Sequence, residues 1–171
     1  MSENTLSVRL RPLYLSLVII LADQVTKALV VARIPLRTAA LSLGGDFFRL
    51  IHVRNTGVAF SLGDQLPETV RSILFSLLPL LILGYLAVYV VRSREESSLQ
   101  RFCLGGIIGG GLGNLIDRIF RPDGVVDFLD VKFYGLFGLE RWPTFNLADS
   151  AVVVCGILLF ITLWFKEKKE K

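Results

Sequence analysis

Between Gly105 and Asp149 the chain sets polar side chains at the edges of apolar runs. The glycine-rich run GGIIGGGLGNLIDRI carries Asn114 and Asp117, the acidic segment GVVDFLD carries Asp127, and FNLADS carries Asn146 and Asp149. Carboxylates in apolar surroundings are costly unless they are paired, hydrated or in use. Two aspartates held close together cannot both ionise cheaply, so they share a proton. One then takes a proton from water while the other protonates the carbonyl or leaving group, which is what hydrolysis of an amide requires. The residues alone leave the pair open among Asp117, Asp127 and Asp149. Asp117 has a basic neighbour, Arg118, and a salt-bridged structural role is its plain reading. Asp149 opens an apolar run, where helix-terminal N–H groups favour a carboxylate. Asp127, flanked by apolar residues, reads as docked against a bundle.

Other chemistries find less support. The single His52 lies in a different segment from every nucleophile candidate, which disfavours serine–histidine and cysteine–histidine catalysis and a histidine-rich metal site. Ser61, Ser150 and Lys132 supply the parts of a serine–lysine pair, but no spacing joins them. A carboxylate cluster is also the donor set of Mg²⁺ or Ca²⁺, and intramembrane carboxylates suit a small ion-coupled transporter. Against transport, the polar groups gather at one face and the middle of each apolar run has no second polar station. A non-enzymatic binding module is the third reading. The expectation is an enzyme with no metal and no cofactor.

The elements that position these residues read as membrane helices. Of 171 residues 53% are apolar, 12 are Phe and the mean hydropathy is +0.59, which places the chain in the membrane class. A net charge of +4 spread along the chain, without a finger or recognition motif, gives no reason to invoke nucleic acid. Four spans are expected at about 13–31, 71–91, 102–120 and 146–165, with outward loops 32–70 and 121–145. The first is read as a retained helix and not a cleaved signal, since no small-residue cleavage site follows; Pro12 suits its first turn. Asp23 and Lys27 are spaced i,i+4 near its far end. Pro79 and Gly84 are tolerable within the second span. Gly105, Gly109 and Gly113 form a small-residue stripe that lets another helix approach, within the chain in preference to a dimer. FFRLIHVRNTGVAFSL is rich in β-branched and aromatic residues and reads as a hairpin around Asn55-Thr56-Gly57, with Phe47, Phe48, Phe60 and Leu62 lending it an apolar surface. Cys103 and Cys155 read as unbridged apolar thiols. The density of basic residues in 1–12, 92–101 and 166–171 puts both termini in the cytoplasm and the polar cluster at the outer face. The fold expected is therefore mainly α: one polytopic unit over 1–171, four transmembrane helices and a small extracytoplasmic β platform.

With these motifs in view, the chain resembles the lipoprotein signal peptidases, or signal peptidase II, a bacterial family of membrane aspartic peptidases. The resemblance covers nearly the whole chain: DQVTK at 23–27, NTGVAF at 55–60, GGGLGNLIDR at 109–118, VVDF at 125–128 and FNLADS at 145–150. Each string is weak alone; five in this order are specific. The resemblance implies removal of the signal peptide from prolipoproteins, just before a cysteine that already bears a diacylglyceryl group. It implies Asp127 and Asp149 as the catalytic pair and Asp117 as support paired with Arg118. Asn55, Asn114, Arg118 and Asn146 would hold substrate or orient the pair, and Asp23 would brace the first helix. It also implies a β platform within 47–62, a lid or interfacial helix in the rest of 32–70, membrane lipids as partners, and inhibition by substrate-mimicking peptide antibiotics. Val58, where relatives often carry Ala, is a mild departure.

Overall fold

The first apolar run forms α1 (Leu6–Arg33), longer at its start than the expected span, with Pro12 inside it. The structure, a computed structural model, describes residues 6–57, 66–93 and 97–170. After α1 come β1 (Ala39–Leu43), β2 (Phe48–Asn55), α2 (Glu68–Ser72), α3 (Leu78–Arg92), α4 (Ser98–Phe120), β3 (Val125–Val131) and α5 (Leu147–Glu170). The five residues Ile73–Leu77 join α2 to α3 as a π turn, so that one apolar helix runs through all three. Pro79 sits in the first turn of α3 and has no N–H to give. A widened turn just before it takes up that break in the helical ladder.

Three helical stretches, Leu10–Arg33, Thr69–Arg92 and Leu147–Phe165, are long and apolar enough to cross a membrane. The fourth, α4, has 23 residues, but glycine and a polar end dilute its apolarity. Its place in the bundle gives the reason. α4 packs against α1, α3 and α5, so its surface answers to close neighbours more than to lipid. A β-carbon on Gly105 or Gly109 would run into the backbone of Pro12 or Ser16 in α1. One on Gly106 or Gly110 would meet Cys155 or the Ala148 carbonyl in α5, and one on Gly111 would meet Leu83 in α3. The small-residue stripe is thus filled by the chain's own helices. Ser16 Oγ adds a hydrogen bond to the Gly105 carbonyl at 2.6 Å across the same seam. Ser97 and Gln100 start α4 with a reciprocal capping box, and Arg121, extended before Pro122, stops it. Cys103 and Cys155 are free thiols, as expected.

The β platform exists but is assembled differently from the expectation. β2 pairs antiparallel with β1 on one edge and with β3 on the other. A hairpin turns at Gly44–Phe47, where Gly44 and Gly45 take φ of 61° and 77°, while the residues that would follow a turn at Asn55-Thr56-Gly57 lie outside the described residues. Two adjacent glycines accept the left-handed backbone that this turn needs. Residues 39–43 are therefore a strand, not part of a lid, and the third strand is VVDFLDV from the loop expected at 121–145. Phe47 lies exposed and stacked on Tyr134. Val58, Phe60, Ser61 and Leu62 lie outside the described residues. The sheet docks on the bundle through a core of Val30 from α1 and Ile34 just after it with Val126 and Phe128 from β3. A second core, Val90, Leu104 and Ile108, closes α3 on α4.

Candidate active site

Local geometry brings the polar residues of five separate stretches to one end of the bundle. Asn146 precedes α5 and caps it: Asp149 N donates to Asn146 Oδ1 at 2.9 Å, and Asn146 N donates to Asp149 Oδ2 at 3.1 Å. This reciprocal box satisfies free N–H groups of the first turn and fixes the Asp149 side chain. Asp127 comes from β3. Its position depends on the turn Arg121–Gly124, in which Gly124 takes φ of 92° and an added β-carbon would run into the Asn55 carbonyl. β3 then runs with Val125 opposite Asn55 and Asp127 opposite Val53. Asn55, diagonal to Asp127, donates from Nδ2 to Asp127 Oδ2 at 3.0 Å.

Two asparagine side chains join the acids. Asn146 Nδ2 lies 2.8 Å from Asp127 Oδ1 and 2.9 Å from Asn114 Oδ1. Asn114 Nδ2 lies 2.7 Å from Asp149 Oδ1. Asp127, from β3, and Asp149, from α5, are thus held through one short amide chain. Asp127 is buried at 3% exposure and Asp149 is half-buried. Burial, followed by the negative charge of Asp149, pushes the Asp127 carboxyl up to about 7, against the pull of its bonds from Asn55 and Asn146 and the charge of Lys27. A carboxyl in that range keeps a proton near neutrality.

Beneath the pair lies an ion cluster. Lys27 Nζ sits 2.8 Å from Asp23 Oδ2 and 3.2 Å from Asp117 Oδ2, with all three side chains fully buried. Asp23 Oδ1 accepts from Ala148 N at 3.0 Å, which ties α1 to the start of α5. Asp117 Oδ2 accepts from Val126 N at 3.0 Å, which ties α4 to β3. Asp117 is therefore structural, but its partners are Lys27 and Arg121, at 3.3 Å, with Gln24 at 3.0 Å, and not Arg118. Adjacent helical residues point about 100° apart, whereas Arg121 at i+4 shares the face of Asp117. Arg118 turns the other way. It feels the charges of Asp149, Asp127 and Asp117, and its Nη2 reaches the Gly57 carbonyl at 3.5 Å. Its Nε is buried and has no hydrogen-bond partner among the described residues.

The structure brings together all eight residues named from the sequence: Asp23, Asn55, Asn114, Asp117, Arg118, Asp127, Asn146 and Asp149. Sequence reasoning passed over Lys27, Gln24 and Arg121 as members of the same network. The i,i+4 spacings Asp23–Lys27 and Asp117–Arg121 were the available signals. A second cluster was also missed. Asp130, on β3 and 2% exposed, binds Arg49 at 2.6 Å and Arg141 at 2.8 Å. Asp46 holds Lys132 at 3.1 Å and Arg141 at 3.4 Å. The Lys132 bond draws the Asp46 carboxyl below its ordinary range. These pairs fasten the 132–141 loop to the sheet. Among the described residues, Lys132 is engaged with Asp46 and Glu140, and Ser150 with the Asn146 carbonyl, so those two form no serine–lysine pair.

Known proteins resemble this chain in sequence and in fold. Residues 15–165 match the family model described as Signal peptidase (SPase) II. The protein named lipoprotein signal peptidase in Treponema pallidum (strain Nichols) is 45% identical over 159 residues, spanning 93% of this chain and 85% of that one. Its namesake in Treponema denticola is 49% identical over 94% of this chain and 92% of its own. In Borrelia duttonii the namesake is 50% identical, over 88% of each. Two solved structures, each titled a bacterial membrane enzyme, share the fold at 24% identity. Their TM-scores are 0.79 and 0.74, with 94% and 90% of this chain covered and 92% of each of theirs. The chain, a bundle of membrane-capable helices capped by a three-stranded sheet, matches this family's model and relatives named lipoprotein signal peptidase over most of its length, and it belongs to signal peptidase II.

Proposed function

We propose that the chain is an aspartic endopeptidase that removes the signal peptide from diacylglyceryl-modified prolipoproteins, cutting just before the lipidated cysteine. Asp127 and Asp149 are the catalytic pair. The observation that carries this is the amide chain between them, together with an Asp127 carboxyl near 7, so that one proton is shared at neutral pH. Asp149 takes a proton from water as the water attacks the scissile carbonyl, and Asp127 protonates the developing oxyanion; on collapse Asp127 takes that proton back while Asp149 passes the water's proton to the leaving amine. Arg118, with its buried and unpartnered Nε among the described residues, faces the substrate backbone. Asn55, Asn114 and Asn146 orient the pair, while Asp23 and Asp117 brace its floor.

The whole chain acts as one unit in the bacterial cytoplasmic membrane. α4 crosses beside the three more apolar stretches; its 23 residues extend about 35 Å at the helical rise, against a hydrocarbon core of about 30 Å. Both termini are cytoplasmic and the pair sits at the outer face. The substrate's acyl chains stay in hydrocarbon, where each buried CH₂ is worth about 0.8 kcal/mol, and water reaches only the outer rim. Peptide antibiotics that mimic the substrate occupy the same site. The test is purified protein with diacylglyceryl-modified precursor, with and without EDTA. Cleavage insensitive to EDTA is expected. Capture without cleavage would indicate a binding module, and ion-gradient-dependent flux in liposomes without cleavage would indicate a transporter.

A further inference from the structure

Lys27 touches neither member of the pair, yet the arrangement around it governs one of them. Its ammonium lies 2.9 Å from Asn114 Oδ1, besides its ion pairs to Asp23 and Asp117. An ammonium has N–H groups and no acceptor, so the Asn114 amide must turn its oxygen toward Lys27. The Asn146 Nδ2 at 2.9 Å from the same oxygen imposes the same choice. With the oxygen committed, the Asn114 NH₂ is left for Asp149 Oδ1 at 2.7 Å. Turning this amide over would set an NH₂ group against an ammonium and a second NH₂, and would offer Asp149 an oxygen in place of a donor.

We propose that Lys27 is a positioning residue for the pair: it locks the Asn114 amide so that it donates to Asp149, which biases the pair's negative charge to Asp149 and its proton to Asp127. This rests on the assignment of Asp127 and Asp149 as the pair. The charged groups around the relay are Asp23 on α1, Asp117, Arg118 and Arg121 on α4, Asp127 on β3 and Asp149 on α5. Asp23 and Asp117 are engaged with Lys27 itself, and Arg121 with Asp117. Of the cations on α4, Arg118 acts on the pair through space, without touching the Asn114 amide in the structure.

The experiment compares wild type, Lys27→Met, Asn114→Leu and the combined variant. Cleavage of the lipidated precursor is followed across the acid and neutral range, and folding is checked by thermal unfolding in detergent micelles. Each single variant is expected to move the acid limb of the rate profile up by about one pH unit, the size of a lost hydrogen bond to a charged group. The combined variant is expected to move that limb no further than Asn114→Leu alone, since both act through one amide. A lower rate at every pH with the limb unmoved, or shifts that add in the combined variant, would overturn the proposal. Should Lys27→Met fail to fold because Asp23 and Asp117 lose their counter-charge, Asp23→Asn/Lys27→Met removes one buried charge of each sign. In that background Asn114→Leu should leave the limb where it is, and a further shift would count against the relay. A wild type that does not cleave the precursor would instead remove the assignment of the pair, a separate outcome.

Discussion

Asp127 carries a raised carboxyl, and that has two measurable results. Its folded value of about 7 lies above the ordinary 3.8, so between those limits the folded chain holds a proton that the unfolded chain has released. Stability therefore falls as pH rises from about 4 to about 7, and the loss is complete above 7. A difference of about three pH units corresponds to roughly 4 kcal/mol at most. Asp127→Asn is expected to melt higher than wild type at pH near 8 and to match it near 4. An equal difference at both would show that Asp127 is not protonated in the folded chain. In catalysis, the basic limb of kcat/KM should fall near 7, where the pair loses its shared proton. At this scale the sequence was informative about which residues matter and less so about which touch. Asn55, Asn114 and Asn146 were legible as polar residues at apolar edges. The pairing of Asp117 was not, because neighbours in sequence diverge on a helix while Lys27 arrives from another element.

The helices explain why α4 is glycine-rich. Gly110 faces the Ala148 carbonyl, a backbone atom that cannot step aside without moving the start of α5 and with it Asp149. Gly110→Ala is expected to destabilise by about 1–3 kcal/mol, read as a lowered midpoint in micelles, and to depress cleavage further by displacing Asp149. Gly156→Ala, on the same α5 but where the added β-carbon would meet no neighbour within 4 Å, should leave both unchanged. Equal losses in the two would mean that helix flexibility, not the seam, is what glycine supplies. The apolar spans were readable from composition, to within several residues at their ends. The strands were harder. β3 was hidden because VVDFLDV places acids on both faces, and it is partners from elsewhere in the chain, Asn55 and Asn146 for Asp127 and Arg49 and Arg141 for Asp130, that make them bearable there. The turn between β1 and β2, Gly44-Gly45, was as plain a signal as Asn-Thr-Gly, but β1 carries too few β-branched residues to stand out.

For the whole molecule, the site is a junction: α1, α4, α5 and the sheet each end there, and the ion cluster of Asp23, Lys27 and Asp117 ties them together. The orientation of that junction in the membrane is open to labelling. Leu136, on the loop after β3, is 56% exposed, and Leu99, at the start of α4, is 50% exposed. In intact spheroplasts, Leu136→Cys should react with a membrane-impermeant maleimide while Leu99→Cys reacts only after lysis, with the parent chain as control for Cys103 and Cys155. The reverse pattern would put the site in the cytoplasm. The central claim is tested most directly by Asp127→Asn and Asp149→Asn, each purified with its melting behaviour intact and given the lipidated precursor. Loss of at least about a hundredfold in cleavage is expected from each; near-normal cleavage by either folded variant would contradict the pair.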